Sequence, residues 1–367
     1  MHNNKSLYLN IVKGFAIFIM IWSHVLLYSL PSNISYFDLT IGKIIGSFNM
    51  PILMLISGYL FYFSFSKRDL KELVGHRCKP LICSIVFYGT FHYFVTNGVV
   101  SVFNGDWVNL FSGEWARVLL FHFWFLSAVL ISSIIVAIIC KKIKRLWMQI
   151  ILLILSSVIV FAMPGRDNCL FVYPFYVIGF YYGKYKEQIK KLNNLKYLSL
   201  LFFPAMMFFF QSKHFIYTTG IIADSSILGI IKINMFRWAI GFVGSLFVLT
   251  IIEVFYRLIT AKNLEKNKKS ILASSLNELG ANSLQYYTVS VTIVSFWFNH
   301  LYKILVNAIP SISTFMTNNI LLHNFVFTLI VTILFCVILY FVIKFINNTF
   351  LCQIFFGKSP QKKLFGK

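Results

Sequence analysis

The sequence predicts an all-α, polytopic membrane protein with about ten transmembrane helices and both termini in the cytoplasm. Three observations predict it. Apolar residues make up 58% of the 367 residues and charged residues only 12%, against about half and about a quarter in soluble domains. The apolar residues fall in runs near the length that an α-helix needs to cross a bilayer, roughly 20 residues. The basic residues, which bring the formal net charge to +22, sit in short clusters between those runs, as in a chain oriented by its loops. Lipid, and not nucleic acid, is therefore the expected partner. A soluble globule, a disordered chain and a disulfide scaffold are excluded by the same composition.

The predicted spans are residues 9–30, 43–65, 80–100, 120–140, 146–163, 168–184, 197–212, 236–257, 276–299 and 321–346. The first run lacks a small-residue cleavage site and carries Lys13, so it reads as a retained helix and not a signal peptide. The seventh is short, and the eighth begins indistinctly at Arg237. No repeat, linker or composition break divides the chain, which reads as one integral membrane domain over 1–367. Cys78, Cys83, Cys140, Cys169, Cys336 and Cys352 form no CxxC pair and read as small hydrophobes, with no metal site among them.

Charge sets the topology. With the N-terminus in the cytoplasm, the inner segments gather Lys67, Arg68, Lys71, Arg77 and Lys79, then Lys141 to Arg145, Lys184 to Lys196, Arg257 to Lys269, and the C-terminal lysines. Roughly 25 basic residues lie inside and 7 outside, with Lys13 within a helix. That places the protein in a cell membrane, the bacterial cytoplasmic membrane being the expected one.

Ionisable groups inside spans are costly and mark candidate sites. Lys13 and His24 are eleven residues apart. At 100° per residue they are about 20° from three whole turns, on one helix face, about 16 Å apart along the axis. One reading has Lys13 snorkelling to the interface and His24 bonded to a neighbouring carbonyl. The other has His24 as a general base, suited by a pKa near neutral. In the second run, Pro51 and Gly58 fit a kinked helix that another helix approaches closely. The following loop carries Arg68, Arg77 and Lys79, which serve topology or clamp phosphate. Trp124 fits an interfacial anchor, and the outer loop with Asp106, Trp107, Glu114, Trp115 and Arg117 reads equally as an interfacial belt or as aromatic faces beside carboxylates that hold a sugar. Glu253 and Arg257 are spaced for a helical ion pair. His92 has no evident role.

Together these segments resemble the acyltransferase 3 family of integral membrane O-acyltransferases. Lys13 and His24 match its first-helix pattern of a basic residue, ten residues and a His. Phe48, Met50, Pro51, Ser57, Gly58 and Tyr59 match its second-helix motif, with Asn49 where this branch often has His. Trp124-Phe125-Leu126 resembles a further motif, and Gly280, Asn282, Ser283, Leu284 and Tyr287 resemble a fourth, after which Ser290 stands where the family commonly has His. The resemblance covers essentially the whole chain. It implies transfer of an acyl group, often acetyl, from acyl-CoA to a hydroxyl of a carbohydrate acceptor. It implies catalytic roles for His24 and Lys13 and a donor site at the basic loop with Arg68, Arg77 and Lys79. It also implies a substrate pocket among Asn49, Ser57, Trp124, Asn282, Ser283 and Tyr287. Acyl-CoA enters as a co-substrate, with no tightly bound cofactor and no fused extracytoplasmic domain. The rival class is a transporter or flippase of a lipid-linked saccharide. Such proteins tend to carry paired intramembrane acids and two related halves; internal symmetry is not apparent here, and Glu253 lies near the end of its span.

Overall fold

The computed structural model describes residues 2–31, 33–95, 115, 118–119, 122–161, 166–215, 226–266 and 270–359. Among these, all regular structure is helical. The helices are α1 (His2–Ser29), α2 (Thr40–Phe65), α3 (Leu70–Tyr93), α4 (Trp124–Lys142), α5 (Leu146–Leu155), α6 (Ser157–Phe161) and α7 (Arg166–Tyr185). A 3-10 helix (Lys190–Leu198) leads into α8 (Ser199–Met207), and a second (Ser212–His214) follows it. Then come α9 (Ile227–Lys266), α10 (Ile271–Ala281), α11 (Ser283–Thr292), a π-helical segment (Ile293–Phe298), α12 (Asn299–Ala308) and α13 (Pro310–Asn318). The chain closes with α14 (Ile320–Leu322), a second π segment (His323–Phe327), α15 (Thr328–Asn348) and α16 (Leu351–Phe356).

Among the described residues, each predicted run is mostly helical. Among the described residues, five stretches are long and apolar enough to cross a membrane: Leu7–Ser29, Thr40–Phe65, Trp124–Lys142, Leu228–Leu258 and Ile320–Asn348. Three of the other runs are broken, each at identifiable residues. The fifth is interrupted at Ser156, whose hydroxyl donates to the Leu153 carbonyl (2.7 Å) and pairs with the Tyr173 hydroxyl (2.8 Å). A side chain competing for backbone carbonyls in this way disturbs a helix. The seventh is a 3-10 helix followed by the nine residues of α8, which contains Pro204. The ninth breaks at Asn282, where φ −107° and ψ 28° separate α10 from α11.

The chain folds into two compact units. The first comprises residues 1–53 and 189–341. Its centre is the packing of α1 on α10 and α11. Gly14 faces the Leu276 carbonyl and Gly280 faces the Asn10 carbonyl, so the two backbones touch at small residues. The Asn10 amide donates to Asn277 Oδ1 across the same crossing (3.1 Å). Glu253 of α9 pairs with Arg257 one turn on, as the spacing predicts, and also with Lys196.

The second unit comprises residues 54–188 and 342–367. Gly58 of α2 meets the Tyr176 carbonyl of α7, and Gly179 meets the Leu55 carbonyl, which is the close approach expected of Gly58. Helix α4 packs on both α3 and α7, with a hydrogen bond between Ser133 and Tyr176 (2.7 Å) in the buried layer. Helix α16 lies on α3.

Candidate active site

In the first unit, Lys13 and His24 both belong to the uninterrupted helix α1, so the arithmetic that puts them on one face applies. His24 is half-buried, and its Nδ1 lies 2.8 Å from the Met20 carbonyl one turn back. A carbonyl only accepts, so Nδ1 carries the hydrogen and a neutral ring presents its lone pair at Nε2. The Tyr28 ring stacks beyond it, centroids 6.4 Å apart. The turn around His24 is anchored on both sides. Trp22 Nε1 donates to Thr328 Oγ1 (2.8 Å), and Ser23 Oγ and the Tyr36 hydroxyl are 2.7 Å apart. At the end of α1, His323 Nε2 donates to the Ser29 carbonyl (3.0 Å). Such support holds the imidazole ring on a rigid element.

The same unit brings the fourth motif against α1. Gly280 seats on Asn10, and Asn282 follows at the break, its amide donating to Glu278 Oε1 (2.7 Å). Ser283 opens α11, and Tyr287 is buried one turn later. Ser290 is buried with its hydroxyl donated to the Tyr287 carbonyl (3.0 Å), so a carbonyl already occupies that donor. Asn49 is 4% exposed, and among the described residues its Oδ1 meets no donor. A buried acceptor left open is uncommon and suits a bound hydroxyl or amide.

Ser57, Arg68, Arg77, Lys79 and Trp124 belong to the second unit. Helix α3 is N-capped by Asp69, whose Oδ1 accepts from the Glu72 backbone N–H (2.7 Å). This cap starts the helix early enough to carry Arg77 and Lys79 on regular backbone. Arg68 Nε sits 3.3 Å from Glu72 Oε1. Arg77 is half-buried and Lys79 exposed. Partial desolvation, and then the Arg68 and Arg77 guanidiniums, hold the nearby His76 below the usual imidazole range. Ser57 and Trp124 are half-buried, on α2 and at the start of α4. In the loop expected on the outer side, Trp115 Nε1 donates to Thr90 Oγ1 (3.2 Å); Asp106, Trp107, Glu114 and Arg117 lie outside the described residues. His92 stacks on His122 with centroids 3.6 Å apart.

A family model described as an acyltransferase domain, acyltransferase 3, matches residues 6–341. The chain belongs to the acyltransferase 3 family. It is a multi-pass membrane member of that family, with several helices apolar enough to span. Two curated relatives carry the name nodulation protein NolL. That of Sinorhizobium fredii is 27% identical over 55% of this chain and 55% of its own length. That of Mesorhizobium japonicum is 27% identical over 50% of this chain and 49% of its own. The chain thus spans about half the length of the curated relatives it matches. No solved structure matches it.

Two further ionisable residues of this chain lie near these motifs. Glu278 lies inside the ninth predicted span and is the acid that orders Asn282. His323 opens the last apolar run, is 1% exposed, and ties the end of α1. An ionisable residue within an apolar run is the signal that would find both.

Proposed function

We propose that this chain transfers an acyl group, acetyl in the simplest case, from acyl-CoA to a hydroxyl of a cell-surface glycan or its precursor at the bacterial cytoplasmic membrane. The observation that carries the reading is the bond from His24 Nδ1–H to the Met20 carbonyl, which leaves Nε2 basic. In the proposed step Nε2 takes the proton of the acceptor hydroxyl, and the oxygen attacks the thioester carbonyl. The C–S bond breaks, and the proton passes on to the departing thiolate, giving an ester and free CoA. Lys13, on the same face of α1, holds charge on the donor or polarises the site. Its distance from His24, about 16 Å, is comparable to the reach of a pantetheine arm, so the nucleotide can stay with basic residues while the thioester meets His24. Arg68, Arg77 and Lys79 bind the phosphates. Asn49, Asn282, Ser283 and Tyr287 of the first unit and Ser57 and Trp124 of the second are the substrate residues of this reading, which needs no tightly bound cofactor.

Membranes containing the chain, incubated with radiolabelled acetyl-CoA and candidate glycans, test this directly. Label in the glycan and CoA release that both depend on the chain are expected. Glycan movement across the membrane without acyl transfer would instead make it a flippase.

A further inference from the structure

The C-terminal helix reaches the basic loop. Helix α16 is fixed to α3 by the Phe355 ring stacked on Phe87 (centroids 3.8 Å, planes 24° apart) and by Ser84 Oγ donating to the Phe355 carbonyl (3.4 Å). It ends at Gly357, whose φ of +60° is left-handed and whose N–H donates to the Gln353 carbonyl (2.9 Å). Such a turn favours glycine. A Cβ there would also lie 3.1 Å from Cys83 Sγ and 3.1 Å from Lys79 Cγ. The turn therefore sets Gly357 against the side chain of Lys79, with Lys358 as the next residue of the chain.

The corner it enters already holds positive charge. Arg68, His76, Arg77 and Lys79 lie on or just before the first turns of α3, and Glu72 is engaged by Arg68. Among the described residues, Arg77 Nε is buried without a hydrogen-bond acceptor. Partial desolvation, and then the Arg77 guanidinium, pull the Lys358 ammonium below its ordinary range, with Cys352 opposing. Lys358 in turn adds to the field that depresses His76. Gathering like charges is costly in the absence of an anion, and loop topology requires only their number on one side of the membrane, not their convergence. A buried guanidinium N–H lacking an acceptor, within the field of the Lys358 ammonium, is suited to phosphate oxygens.

We infer that Lys358, positioned by the left-handed turn at Gly357, is a further phosphate-binding residue of the acyl-donor site, acting with Arg77 and Lys79. The inference rests on the reading of that loop as the donor site. Calorimetric titration of CoA into the full chain in lipid nanodiscs tests it, with Lys358→Ala, Lys358→Arg, Arg77→Ala, Lys79→Ala and, as a control for bulk charge, Lys142→Ala. One lost charge-assisted contact should weaken CoA about tenfold. The expected pattern is weakening by Lys358→Ala, Arg77→Ala and Lys79→Ala, partial recovery in Lys358→Arg, and no change in Lys142→Ala. Weakening by Arg77→Ala and Lys79→Ala with Lys358→Ala unchanged would overturn the role of Lys358 and leave the donor site standing. Equal weakening by Lys142→Ala would reduce Lys358 to general surface charge. If the wild-type chain binds no CoA, the donor site and this inference fall together. Lys358 is at the surface, so an unchanged melting temperature for Lys358→Ala separates lost binding from lost folding.

Discussion

Gly14 of α1 and Gly280 of α10 sit at one helix crossing, where an added Cβ would come within 1.9 Å of the Leu276 carbonyl oxygen and 1.8 Å of the Asn10 carbonyl oxygen respectively. Gly14 follows Lys13 directly, and Gly280 precedes Asn282 by two residues. The first and fourth motifs of the family are thus held together by backbone contact that only glycine permits.

Gly14→Ala and Gly280→Ala should each force α1 and α10 apart. Overpacking of this kind costs about 1–3 kcal/mol. Lower melting temperatures in detergent are expected for both, with transfer falling further than the loss of folded protein explains. Variants with wild-type melting and activity would show that the crossing relaxes freely.

His24→Ala should abolish transfer in protein that remains folded and inserted, a loss of about 10²–10⁴-fold for a general base. Lys13→Ala should also cripple it, while Lys13→Arg retains part, because the charge persists and the geometry changes. Turnover per folded molecule, measured on monodisperse protein, checks this. Near-normal turnover with reduced abundance would make His24 structural.

Arg77→Ala and Lys79→Ala should raise KM for acyl-CoA with little change in kcat, because phosphate pairing need not alter between ground and transition states. Arg68→Ala should have a smaller effect, since Glu72 already engages its guanidinium. Steady-state kinetics in acyl-CoA decide; an unchanged KM in both stronger variants assigns the loop to topology.

His214 should make the first unit less stable in acid. Burial, then Lys213 and Arg237, push its imidazole down to about 4, and its Nδ1 accepts from the Gln211 backbone N–H (2.9 Å). The folded value lies below the unfolded one, about 6.5. Stability is therefore fully present above pH 6.5 and is lost as pH falls toward 4, by at most about 1.4 kcal/mol per pH unit. His214→Asn, which keeps an acceptor but does not titrate, should flatten melting temperature against pH over that window. Parallel curves for the two proteins would remove His214 as the cause.

The loops near residues 70, 142, 190 and 265 should be cytoplasmic, given the asymmetry of basic residues. Single cysteines introduced there should resist impermeant reagents in intact cells. Strong labelling at 190 or 265 would overturn the orientation.

By itself the sequence determined the all-helical membrane class, the position of every long apolar run, the family motifs and the shared face of Lys13 and His24. These follow from composition and from the fixed 3.6-residue period of a single helix, so they need no knowledge of what packs where. The tertiary structure decided the rest. It broke three runs at Ser156, before Pro204 and at Asn282, where side-chain bonds and backbone conformation override hydropathy. It seated the Gly280 motif on α1, set His24 Nδ1 against the Met20 carbonyl, and brought the Gly357 turn to Lys79. Contacts of high sequence separation depend on which helix faces which and how closely backbones approach. Hydrophobic periodicity does not encode partner identity when the solvent on every outer face is as apolar as the core.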